Sequence, residues 1–185
     1  RIRPNIMAGG NRKISTGHDA SKFGKPVNQL SLIESLVRET NLHIRTLHIH
    51  TGSDIRDPDV FVQGMEVLFE LIPHFPELEV IDLGGGFKVP YRPDETATDI
   101  PLLAKKIKEA FDAHPVAGDK KFQLWFEPGK FLVSESGYLL AEVTVMKNTG
   151  SIEFAAVNSG LNHLIRPMMY DAYHHILNLS NPEGP

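Results

Sequence analysis

The 185 residues contain no cysteine. Disulfides, thiolate metal sites and a cysteine nucleophile are therefore excluded for these residues, and a reducing compartment suits such a chain. No run approaches the roughly 18 apolar residues that a membrane span requires. No cluster of Lys and Arg breaks the pattern, and 19 basic against 23 acidic side chains give a formal charge of −4. Neither nucleic acid nor a membrane surface is an expected partner for such a balance. A charged-then-apolar signal segment is missing from the start, and so is an initiator Met. The chain opens Arg1-Ile2-Arg3-Pro4 and stops at Asn181-Pro182-Glu183-Gly184-Pro185, which leads to the expectation of a partial chain.

What is present falls into a rhythm. Residues 1–25 are polar and punctuated by Gly9-Gly10 and Gly24, which predicts a strand end and a long loop. Val27, Leu30, Ile33, Leu36 and Val37 then share one face of a helix over 26–40, with Pro26 suited to its first turn. Residues 44–49 read as a short strand. Asp57-Pro58 opens a second helix carrying Phe61, Leu68 and Leu71, closed by Pro73 and Pro76. A strand over 79–83 ends at Gly84-Gly85-Gly86, a third helix runs from Ile100 to His114, and a strand over 122–126 ends at Glu127-Pro128-Gly129. Strand, loop and helix recur about every 40 residues, the spacing of βα units, which predicts a parallel α/β sheet, open or closed into a barrel. After Gly137 the texture changes: residues 138–146 and 152–158 look like strands with no helix between them.

In parallel α/β folds, ligands gather at the C-terminal strand ends. Three consecutive ends here carry useful chemistry. His50-Thr51-Gly52-Ser53 offers an imidazole, a close backbone approach and a hydroxyl. Gly84-Gly85-Gly86 can present successive N–H groups to an anion. Glu127-Pro128-Gly129-Lys130 offers a carboxylate on a stiff turn and a cation three residues on. Alone, the glycines and Glu-Pro-Gly read as plain tight turns and a strand-end His is more often structural than functional, and the weight lies in their convergence on one sheet edge. His48 and His50 also share a strand face, and with His43 they admit zinc. The absence of cysteine and the adjacent Gly52-Ser53 favour a phosphate ligand, and no metal is expected. Further on, Arg166 precedes a proline and Tyr170 lies four residues later; a guanidinium held so could fork onto a carboxylate.

Together these stretches resemble the alanine-racemase-like (fold type III) pyridoxal-phosphate decarboxylases, and within them the diaminopimelate branch. The matching text is ISTG and KFG within 14–24, HIHTGS at 48–53, DLGGGF at 82–87, EPGKFLVSESG at 127–137 and SGLNHLIRPMMYDAYHHI at 159–176. The last segment, with Arg166-Pro167, Tyr170 and Tyr173, looks more like the diaminopimelate enzymes than the ornithine or arginine ones.

The resemblance implies α/β architecture: residues 1–136 as later strands and helices of a pyridoxal-phosphate-binding (β/α)8 barrel, and 137–185 as the start of a C-terminal β domain. It implies His50 stacked on the cofactor's pyridine ring and Ser53 with Gly84, Gly85 and Gly86 at its phosphate. Glu127 is then the partner of the ring nitrogen, and His50 and Glu127 are the catalytic pair. Gly129 lies beside the cofactor, and Lys130, Arg166 and Tyr170 face the substrate. The implied reaction takes CO2 from meso-2,6-diaminopimelate to give L-lysine, in the cytoplasm, in a homodimer with shared sites. None of Lys13, Lys22, Lys25, Lys88 or Lys130 sits in the motif of the family's Schiff-base lysine, which the resemblance places before residue 1, so the chain by itself is expected to be inactive. The alternatives are a relative acting on ornithine, arginine or carboxynorspermidine, and a non-catalytic pyridoxal-phosphate barrel. Three positions depart from the family pattern: Lys130 where Arg is usual, Asp54 where Gln is common, and Asn158 where Asp is common.

Overall fold

The computed structural model describes residues 1–9, 12–119 and 121–184, so that Gly10 of the expected Gly9-Gly10 pair lies outside the described residues. The chain separates into two compact units, Arg1–Pro90 with Thr96–Ser134, and Tyr91–Glu95 with Glu135–Pro185.

In the first unit, the two-residue strands β1 (Ile2–Arg3) and β2 (Lys25–Pro26) pair in parallel. Helix α1 (Leu30–Thr40) follows a single 3-10 turn at Val27–Gln29. It ends where Asn41 turns left-handed, at φ 53°, and its N–H reaches back to the carbonyls of Val37 and Arg38. Strand β3 (Thr46–His48) leads through a loop to α2 (Asp59–Leu71), whose first turn is held by Asp57 Oδ1 accepting the Asp59 N–H at 2.9 Å. Strand β4 (Val80–Asp82) is followed, after a Pro-rich loop, by α3 (Ile100–Ala113). Asp99 caps α3 by accepting the Leu102 N–H at 2.8 Å, and Pro101 occupies its first turn, where its missing N–H costs nothing. A short α4 (Pro115–Asp119), β5 (Gln123–Trp125) and α5 (Gly129–Val133) complete the unit.

Strands β3, β4 and β5 form one parallel sheet in that order, with His48 opposite Asp82 and Asp82 opposite Trp125. The pleat sorts their side chains. Leu47, Ile49, Ile81 and Leu83 are buried with Phe61, Met65 and Leu68 of α2, and Gly64 lets α2 approach until an added Cβ would lie 2.3 Å from Ile49 Cδ1. His48, His50, Asp82 and Gly84 take the alternate positions. Phe61 stacks on Phe87 with ring centroids 5.0 Å apart, which ties α2 to the residue after the glycine triplet.

In the second unit, β6 (Val143–Asn148) and β7 (Glu153–Val157) make an antiparallel hairpin with an irregularity between Val143 and Val145. Its turn closes on Gly150, at φ 93°, whose N–H donates to Asn148 Oδ1. Helix α6 (Arg166–Tyr170) ends at Asp171 in the left-handed region. No helix among the described residues is long and apolar enough to cross a membrane.

Candidate active site

Parallel pairing continues past the strand ends: the Ile49, Leu83 and Glu127 N–H groups donate to the carbonyls of Asp82, Trp125 and Gly84 at 2.9 to 3.0 Å. This extension holds His50, Gly84 and Glu127 side by side, each two residues beyond the last register row.

The imidazole of His50 is fixed by an unexpected donor, the Gly85 N–H, which points at its Nδ1 from 3.2 Å. An Nδ1 that accepts carries no proton, so the neutral ring is the Nε2–H tautomer. The His50 carbonyl is gripped by Arg1 Nη2 at 2.9 Å and Thr16 Oγ1 at 2.8 Å. Burial lowers the His50 pKa below the ordinary 6.5, and the positive charge of Arg1 and the neighbouring His48 push the same way, against Glu127 and Asp82. The unfolded chain therefore binds the extra proton first as pH drops. The stability carried by neutral His50 is fully present above 6.5 and is lost as pH falls through the folded value. A His50→Asn variant should accordingly lose less of its melting temperature than wild type between pH 7 and pH 5, as scanning calorimetry would show. Equal losses would contradict the buried neutral ring.

The glycine triplet differs from the expected anion nest. The Gly84 N–H is taken by Asp82 Oδ1 at 2.9 Å and the Gly85 N–H by His50, which leaves only the Gly86 N–H without a hydrogen-bond partner among the described residues. The physical reason is local: an Asp two residues before a glycine closes an Asx turn on its N–H. What the triplet supplies is closeness. A Cβ on Gly84 would lie 2.4 Å from Ile49 O and 3.1 Å from His50 Nδ1; on Gly85, 2.1 Å from Glu127 O; on Gly86, 2.0 Å from Gly52 O. The three strand ends meet backbone to backbone at these glycines.

Glu127 sits at the exposed side, its Oε2 3.3 Å from His48 Nε2. Gly129 opens α5 and has no heavy atom within 4 Å of an added Cβ, so its want of a side chain leaves space rather than relieving a contact. Lys130 forms an ion pair through Nζ with Asp54 Oδ1, both partly buried, and Asp54 holds a left-handed φ of 58°. Ser53 lies on this same loop after β3, partly exposed. An apolar cavity of about 520 Å³ lined by Phe87, Ile107, Phe111, Phe122 and Phe131 shares no residue with this cluster.

Arg166 and Tyr170 lie in the second unit. Arg166 Nη1 donates to the Tyr91 hydroxyl at 2.8 Å and its guanidinium covers the Tyr91 ring at 4.8 Å. Its Nε is buried without a hydrogen-bond partner among the described residues.

Arg1 and Asp82 escaped the sequence reading. The Asp-Leu-Gly spacing at 82–84 was the available signal for Asp82. Arg1 reaches His50 across 49 positions, and nothing local announces such a contact.

The donor set fits pyridoxal phosphate. A neutral imidazole locked by a backbone amide presents a flat face, a carboxylate suited to a protonated ring nitrogen stands on the adjacent strand end, and the glycine triplet lets the strand ends that carry them meet backbone to backbone. Comparison with known proteins agrees. Residues 1–134 match the family described as pyridoxal-dependent decarboxylase, pyridoxal binding domain, and the chain belongs to that family. Within it, the chain is 34% identical over 188 residues to the diaminopimelate decarboxylase of Methanothermobacter thermautotrophicus, across 98% of this chain and 44% of the relative. The Escherichia coli diaminopimelate decarboxylase is 32% identical across 95% of this chain and 42% of its own length. The crystal structure of diaminopimelate decarboxylase from Helicobacter pylori complexed with L-lysine superposes with a TM-score of 0.83 at 28% identity, over 99% of this chain and 45% of that one. The chain thus spans less than half the length of the relatives it matches.

Proposed function

We propose that this chain forms part of a decarboxylase that releases CO2 from meso-2,6-diaminopimelate and leaves L-lysine. The observation that carries the reading is the meeting of His50, Gly84–Gly86 and Glu127 at three successive strand ends. Pyridoxal phosphate, when bound, supplies an electron sink for the pair left on the substrate α-carbon.

The chain's own residues do the rest. Neutral His50 covers one face of the ring and shields it from water; its Nδ1 is occupied by the Gly85 amide, so it neither tilts nor takes a proton there. The Glu127 carboxylate holds a proton on the ring nitrogen, where a positive charge deepens the sink. The Gly86 N–H and the Ser53 hydroxyl take the phosphate, Gly84 and Gly85 act by allowing approach, and Gly129 gives room beside it. Lys130, paired with Asp54, adds a screened positive charge on the substrate side. Arg166 and Tyr170 are assigned to the distal carboxylate of a diacid by the family resemblance alone. Residues 1–136 are the barrel part of this scheme and 137–185 the opening of a β domain. The homodimer and the cytoplasmic setting follow from the family resemblance.

The test is an assay of the full-length protein, loaded with pyridoxal phosphate, for CO2 and L-lysine from meso-diaminopimelate against ornithine, arginine and carboxynorspermidine. Preference for the first supports the proposal. Preference for a monocarboxylate amino acid overturns the substrate and the role of Arg166.

A further inference from the structure

His48 has no part in the scheme above, yet its surroundings are unusual. It stands two residues before His50 on the same strand face, opposite Asp82. Its Nε2 is buried and makes no hydrogen bond among the described residues, a state that polar atoms seldom keep without a purpose. The same atom lies 3.3 Å from Glu127 Oε2, within contact but out of line for a hydrogen bond. One donor atom each from His48, Asp82 and Glu127 falls within 4.8 Å of the others, and the Asp82 Oδ1 is already committed to the Gly84 N–H. Glu127 is the member that can adjust, since its side chain is more than half exposed while that of His48 is 23% exposed. Functional hydrogen bonds are often misaligned in the unliganded state and tighten when the ligand arrives.

We infer that His48 is a positioning residue for Glu127: its Nε2–H anchors Oε2 and leaves Oε1 to face the ring nitrogen of the cofactor. A carboxylate tethered by one oxygen loses the freedom to swing into solvent, and the proton on the ring nitrogen keeps a fixed acceptor. The inference rests on the function proposed above, but concerns one atom of one side chain.

Two polar replacements separate the atoms of the imidazole. Glutamine places an amide N–H near the Nε2 position, whereas asparagine places it near Nδ1 and cannot reach Glu127. In the full-length protein, His48→Gln is expected to stay within about threefold of wild type in kcat, and His48→Asn to fall about 10- to 100-fold, the range lost when the supporting partner of a functional ligand is removed. KM for the substrate should change little in either. The dissociation constant for pyridoxal phosphate, read by absorbance titration, should rise about tenfold in His48→Asn alone, with the absorbance of the bound cofactor shifted in that variant. Retained kcat and cofactor affinity in His48→Asn would overturn the inference, as would equal losses in both variants, which mark a merely structural imidazole. A wild-type protein that takes up no pyridoxal phosphate overturns the functional reading and this inference with it, whereas an active wild type with unchanged variants defeats this inference alone.

Discussion

Glu127→Gln should lower kcat about 10²- to 10³-fold with pyridoxal phosphate saturating, the scale seen when one preorganised electrostatic partner of a reacting group is removed. Glutamine keeps the shape and loses the charge. The backbone anchor, in which the Glu127 N–H donates to the Gly84 carbonyl at 2.9 Å, does not involve the side chain and survives. The loss should therefore appear in turnover and not in folding: the melting temperature should stay within a few degrees, because a surface-side substitution is usually worth under about 0.5 kcal/mol. Glu127→Asp should recover part of the activity, since the charge returns on a shorter arm. Steady-state CO2 release measures all three proteins. A Gln variant within threefold of wild type would mean that the carboxylate does not face the reacting system.

The second large effect is expected at Gly86. Its φ of 96° lies in the region that side chains rarely adopt, and an added Cβ would stand 2.0 Å from the carbonyl oxygen of Gly52. The colliding atom is main chain, so no rotamer relieves it. Backbone strain of about 1–3 kcal/mol and a packing cost of about 1–3 kcal/mol place Gly86→Ala some 2–6 kcal/mol below wild type in a urea melt. Cofactor affinity should fall with it, because the loop after β3 and the loop after β4 must part. Gly129→Ala is the contrast. Nothing lies within 4 Å of its Cβ, so stability should hold while affinity for pyridoxal phosphate drops. If Gly86→Ala unfolds at the wild-type urea midpoint, the strand ends are not packed as described.

Much of the first unit was legible because its elements are long enough to carry a period or are marked at their ends. Helix α2 sits where Asp57-Pro58 opens it, and α3 runs Ile100–Ala113 against an expected 100–114. The strands are shorter than their apolar runs suggested: β3 covers Thr46–His48 of the expected 44–49. The expected strand over 138–146 shifts to Val143–Asn148, since an apolar stretch does not say which of its residues meet a partner. Helices α5 and α6, five residues each, were not foreseen, and neither was the two-residue strand β2, whereas β1 at Ile2–Arg3 answers to the strand end expected at the start of residues 1–25; elements this brief have no periodicity to read.

The candidate site divides in the same way. Residue types and strand-end positions pointed to His50, the glycines and Glu127. What stayed hidden was the use of the donors, because it depends on distance. The amides of Gly84 and Gly85 looked available in the chain and are spent on Asp82 and His50 in the fold. Arg166 looked like a free fork and already holds the Tyr91 hydroxyl.

The contact between Lys130 and Asp54 changes how two sequence oddities are counted. Lys130 and Asp54 stand where the family resemblance implies Arg and Gln, and they meet in space, 76 positions apart in the chain. Asp54→Gln alone would take the carboxylate away from Lys130, whereas Lys130→Arg alone keeps a cation beside Asp54. The dependence runs one way: a change at position 54 is felt at Lys130, while position 130 can pass between Lys and Arg with the ion pair kept.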